Sequence, residues 1–129
     1  MDVQSPWQQA SVTIPNGQSA SALTTIWYGQ AVRLLVPPGT QGGWLRVLLA
    51  PEAGGGLNPL IDVNGNVATW PFGPGGWIDT PRGTFPILRN FALETVADRT
   101  GATPQAQSGD RQLTLLYVAG PQYGAQWGP

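Results

Sequence analysis

Glycine and proline punctuate this chain so densely that a long helix has little room to form. There are 18 Gly and 13 Pro among its 129 residues. In a helix interior each Gly costs about 1 kcal/mol relative to Ala, and each Pro about 3 kcal/mol. Between the breaks lie short apolar segments rich in β-branched and aromatic residues, the composition of strands. Segment 10–14 ends at Pro15-Asn16-Gly17, segment 23–28 at Gly29, segment 30–36 at Pro37-Pro38-Gly39, and segment 44–50 at Pro51. Segments 60–63 and 67–70 flank Asn64-Gly65-Asn66, which reads as a hairpin turn because Asn and Gly both tolerate positive φ. Segments 84–89, 91–97 and 111–118 follow. In the last of these, Leu113, Leu115 and Tyr117 alternate with Gln112, Thr114 and Leu116. The stretches 71–81 and 98–110 read as loops.

Eight or nine strands about 8–12 residues apart, without helical periodicity or internal repeat, predict an all-β fold. The expected architecture is one antiparallel β-sandwich, jelly-roll-like, over residues 10–118. Residues 1–9 and 119–129 show no alternation and read as extended N- and C-terminal arms. A chain of this length can bury roughly 68% of its unfolded surface, so it needs neither metal nor disulfide to fold.

Charge narrows the function. Only 10% of the residues are charged, against about 25% in an ordinary domain. All six cations are Arg, and seven Asp and Glu bring the net charge to −1. Too few cations are present to displace many counterions, so nucleic acid is not an expected partner. No polybasic run or apolar run of about 18 residues occurs, so no membrane role is expected. The start, Met1-Asp2-Val3-Gln4, does not read as a signal peptide. Cys and His are both absent, which removes thiolate, disulfide and imidazole chemistry. The expectation is a protein that is not an enzyme, with no catalytic residues, metal ligands or cofactor.

The remaining motifs agree. Asp62-x-Asn64-x-Asn66 opens like a calcium loop, but the sixth position is Val67 and the twelfth Gly73, where Gly and Glu are required. A hairpin turn accounts for it better. Asp62 and Asp79 are the most plausible close carboxylates for a glycosidase pair, yet nothing in their spacing supports one. Gly54-Gly55-Gly56 lacks the Lys of a phosphate loop.

Six Trp are the strongest remaining signal. Trp27 and Trp44 lie within strand segments and read as core fillers. Trp7, Trp77 and Trp127 lie in Gly- and Pro-rich surroundings that cannot form a core of their own, so each needs another surface to bury against. Trp leads the residue types that dominate interfaces. With Trp70 and Tyr123 they form the set of candidate interaction residues: Trp7, Trp70, Trp77, Tyr123 and Trp127. The absence of Lys leaves sheet edges without their usual guards. Together these features predict a permanent component of an assembly, with homo-oligomers expected.

Three motifs carry a family resemblance: Ser11-Val-Thr-Ile-Pro-Asn-Gly-Gln-Ser19, Ile61-Asp-Val-Asn-Gly65 and Gly109-Asp-Arg-Gln-Leu-Thr-Leu-Leu116. In order and spacing, over roughly residues 11–118, they resemble small β-sandwich virion proteins of tailed bacteriophages. The resemblance implies a structural role in the virion, as a capsid decoration or cement protein or a head-associated fibre or neck protein. Its partners would be capsid or other virion proteins. The alternative expectation is a carbohydrate-binding module or adhesin of a phage fibre, stacking a glycan on Trp70 and Trp77.

Overall fold

The alternation written in the segments becomes the two faces of two sheets. The computed structural model describes residues 7–24, 29–50, 56–79 and 90–119. Eight strands lie within them: β1 (Trp7–Ile14), β2 (Gly29–Val36), β3 (Trp44–Leu49), β4 (Asn58–Pro59), β5 (Thr69–Pro71), β6 (Gly76–Asp79), β7 (Phe91–Val96) and β8 (Arg111–Ala119). One sheet has the order β1-β8-β2-β6. In the other, β3 pairs with β7 along its whole length and with β4 and β5 at its two ends. Every ladder is antiparallel. The fold is an all-β antiparallel sandwich, as the segment pattern predicts. The jelly-roll winding is not established by these pairings.

Side chains from both sheets meet in one core. Val12 and Ile14 of β1, Leu34 and Val36 of β2 and Leu113 and Leu115 of β8 face Leu45 and Val47 of β3, Trp70 of β5, and Phe91 and Leu93 of β7. Burying each such side chain contributes about 1.5–3 kcal/mol. On β1 the intervening Gln9, Ser11 and Thr13 are exposed. The expected alternation of β2 is interrupted once. Ala31 pairs with Tyr117 and Arg33 with Leu116, so Val32 is the extra residue of a bulge.

Several boundaries differ from the sequence reading. β1 opens at Trp7, so the ladder takes in residues 7–9 of the expected arm, and β8 runs on to Ala119. Segment 71–81 is not all loop. The Gly75 N–H donates to the Phe72 carbonyl at 2.9 Å, closing a turn, and β6 then pairs with β2. Gly and Pro density hides this strand, because only four residues separate the turn from its end. The expected strand 84–89 and most of 23–28 lie outside the described residues, although Thr24 bridges to Phe91.

One polar side chain ties the sheets together at one end. Gln107 is 2% exposed, and its carboxamide uses both ends. Its Nε2 donates to the Gln41 carbonyl at 2.9 Å and to Thr95 Oγ1 at 2.8 Å. Its Oε1 accepts from the Gln41 N–H at 2.9 Å and from Arg111 Nε at 3.3 Å. Its backbone N–H donates to the Gln18 carbonyl, and its own carbonyl accepts from the Gly17 N–H. The turn after β1, the β2–β3 loop, β7 and β8 are thereby joined. Replacing Gln107 by Ala strands these groups in the interior. The Gln107→Ala variant is expected to lose about 1–3 kcal/mol in urea denaturation, against less than about 0.5 kcal/mol for exposed Thr13→Ala.

Candidate functional site

Two short turns built alike frame a groove in the surface of the described residues. The first is Asp62-Val63-Asn64-Gly65, the tip of the hairpin whose stem is the Ile61–Val67 bridge. The Gly65 N–H donates to the Asp62 carbonyl at 3.1 Å, while Asp62 Oδ1 accepts from the backbone of Asn64 at 2.9 Å and of Asn66 at 3.0 Å. The second is Asp98-Arg99-Thr100-Gly101, after β7. Here the Gly101 N–H donates to the Asp98 carbonyl at 3.2 Å, and Asp98 Oδ1 accepts from the Ala102 N–H at 3.0 Å and the Thr100 hydroxyl at 3.1 Å. In each, an Asp organises the turn through its own side chain and a Gly three residues on takes positive φ, 84° and 76°. The Asn64-Gly65 hairpin is therefore a three-residue loop with only Gly65 left-handed, rather than a two-residue turn with positive φ at both positions.

Between the two turns runs a groove of about 510 Å³. It opens on the second sheet, where Trp44, Val67 and Thr69 line it together with Ala68 and Trp70, two residues that also reach the core. Asp62 and Asn66 line it from the hairpin, and Arg99 and Thr100 from the second turn. Thr69 Oγ1 donates to the Arg99 carbonyl at 2.6 Å, fixing that turn to β5. Gly101 approaches so closely that an added Cβ would stand 3.0 Å from Val67 Cγ1. The adjacent Arg46 is not available to a ligand: its Nε donates to Glu94 Oε1 at 2.7 Å, and the Ser19 hydroxyl holds Oε2 at 2.8 Å.

Trp70 and Trp77, the two expected interaction residues whose side chains are described, do not come together. Trp70 is 8% exposed and packs into the core beside its inward-facing register partner Leu45, and it also lines the groove. Trp44, expected in the core, is half-buried on the opposite face and lines the groove. Trp77 is 54% exposed on β6, in a cross-strand row with Leu35 and Thr114. Trp70 and Trp77 thus occupy different sheets and offer no shared platform to a sugar. Trp7 is paired with Val118 at the start of β1, while Trp27, Tyr123 and Trp127 lie outside the described residues. Asp62 and Asp79 are likewise on different sheets, and no group of three or more acidic residues fit to hold a metal occurs among the described residues.

No protein-family model, curated protein or solved structure matches this chain. The sequence reading missed the groove and its second turn, although the shared Asp-x-x-Gly spacing of residues 62–65 and 98–101 is a legible signal.

Asp98 carries the one titration that bears on the groove. Desolvation pushes its carboxyl up. Hydrogen bonds from the Thr100 hydroxyl, the Ala102 N–H, the Thr103 hydroxyl and the Gly101 N–H outweigh that, so the carboxyl sits below its ordinary 3.8. A depressed acid stabilises the fold above its unfolded pKa, and the contribution fades as pH falls through the folded value. An NMR titration is expected to show the Asp98 carboxyl and the Ala102 amide moving together, with a midpoint below 3.8. A midpoint at or above that value overturns the assignment of the turn to the carboxylate.

Proposed function

We propose that this chain is a non-enzymatic structural component of a tailed-phage virion, a capsid decoration or head-associated protein that joins neighbouring subunits through a sheet edge. The observation that carries the reading is β1. A free strand edge presents unpaired N–H and C=O groups to any passing chain, so proteins shorten, charge or cover their edges. The other edges here are treated that way. β6 has four residues, β4 and β5 have two and three and contain Pro59 and Pro71, and β7 is covered by backbone bonds from residues 19–24 and 103–105. β1 is different. It is eight residues long, Trp-Gln-Gln-Ala-Ser-Val-Thr-Ile, with no charge and no Pro, and among the described residues only β8 pairs with it. Such an edge is suited to accepting a strand from another subunit.

Two of the motifs that resemble phage virion proteins meet at this strand. Ser11-Val-Thr-Ile lies on β1 and Arg111-Gln-Leu-Thr-Leu-Leu on β8, in a register that sets Ile14 opposite Arg111. Asp110 Oδ1 accepts the Asn16 N–H at 2.8 Å, tying the turn of one motif to the start of the other. Exposed Trp77 at the far side of the same sheet adds an aromatic contact of the kind that dominates interfaces.

The direct test is location: antibody labelling of purified particles should place the protein on them, and its confinement to the soluble fraction of infected cells would sink the reading. For the edge itself, sedimentation of the purified protein is expected to show oligomers that persist as salt rises, because few charges are involved. Placing Lys at both Gln9 and Ser11, exposed positions of β1, should yield monomers with an unchanged circular dichroism spectrum. Oligomers unaffected by both Lys substitutions would count against β1 as the contact.

A further inference from the structure

The groove between the two Asp-x-x-Gly turns contains hydrogen-bonding groups that the fold leaves unused. Asp62 commits only Oδ1 to its turn, and no described residue engages its Oδ2. The Asn66 side-chain amide has no partner among the described residues, and neither does the Arg99 guanidinium, whose residue is held through its backbone carbonyl alone. Beside them stands Trp44, half-buried. An acceptor, a mixed donor–acceptor amide and a donor-only cation therefore line the same groove as Trp44 and Trp70, in a space within the roughly 300–1,000 Å³ typical of small-ligand sites.

We propose that this groove binds a neutral pyranoside, one ring of a carbohydrate chain stacked beside Trp44. A pyranose has an apolar face of C–H bonds and an equator of hydroxyls, each of which donates and accepts. The apolar face matches an indole ring. The hydroxyls match Asp62 Oδ2 as acceptor, Arg99 as donor and Asn66 as either. The one carboxylate and one guanidinium in the lining leave it without net charge, which gives neither an acidic nor a cationic ligand an advantage over a neutral one. The two turns fix the backbone that carries these groups, because both are closed by their own Asp side chains and Thr69 pins the second to β5. No groove-lining residue lies on β1 or elsewhere in the first sheet, so this inference does not depend on the proposed assembly.

The test is titration of the full chain, by calorimetry and Trp fluorescence, with neutral oligosaccharides of glucose, galactose, mannose and N-acetylglucosamine. Sialylated and uronate-containing oligosaccharides form a second arm. At least one neutral saccharide is expected to bind with a Kd of about 1 mM or tighter. Trp44→Ala should weaken it at least about tenfold, and Arg99→Ala, at an exposed position that leaves the core untouched, by about threefold or more. Trp77→Ala, on the other sheet, should leave the affinity unchanged. Absence of binding by every neutral saccharide, binding by the acidic arm alone, or an affinity indifferent to both Trp44→Ala and Arg99→Ala would each overturn the proposal.

Discussion

Apolar burial holds two sheets together, but it is non-directional and does not by itself fix how one lies over the other. In this sandwich the direction comes from the Gln107 carboxamide. Its four side-chain hydrogen bonds reach the β2–β3 loop, β7 and the start of β8, while its backbone holds the turn that follows β1. Thr95 completes the arrangement by donating its hydroxyl hydrogen bond to the Gln105 carbonyl at 2.7 Å, which leaves its oxygen free to accept from Gln107. The orientation of the amide is thus dictated at both ends. A buried polar group of this kind favours one arrangement of the sheets over others that would bury as much hydrocarbon, because any slip leaves several groups unpaired at once.

The same logic of satisfied and unsatisfied backbone governs the edges. β7 is buried at every position and covered along its free side, so it behaves as an interior strand although its named ladder is only with β3. Among the described residues β1 inherits no such cover. Its exposed face is Gln, Ser and Thr, residues that tolerate water yet pose no repulsion to a second strand. The contrast between a covered edge on one sheet and a bare one on the other gives the molecule a polarity that its low charge alone does not suggest.

What the sequence made legible follows the range of the interaction. β1, β2 and β8 could be read because alternation is local, and the hairpin at 61–67 because Asp, Asn and Gly announce a turn within five residues. β6 was hidden by the same glycines that build the turn before it. Gln107 was hidden for another reason. Its partner Gln41 is 66 residues away, and nothing local separates this Gln from those of a polar loop. The roles of Trp44 and Trp70 were recoverable in part. Once Leu45 and Val47 are taken as the inward face of β3, Trp44 must lie on the other, and the antiparallel register then turns Trp70 inward with Leu45. That last step requires knowing which strands pair, and pairing is the information a single segment does not contain.

Aromatic residues in a chain with so few charges admit two explanations, contact with protein or contact with a ligand, and the fold separates them in space. Trp77 lies in the first sheet, whose far edge is β1, in a row with the half-buried strand residues Leu35 and Thr114. Trp44 lies in the second sheet and lines a groove with polar residues of the two Asp-closed turns. A weakly polar sheet face suits another protein surface, whereas a groove that pairs aromatic rings with hydrogen-bonding side chains suits a small polar molecule. Because β1 and the groove share no residues, subunits joined through the first sheet would leave the second free. Repetition of weak groove contacts across such an assembly would then convert modest affinity for one sugar ring into firm attachment to a surface that displays many.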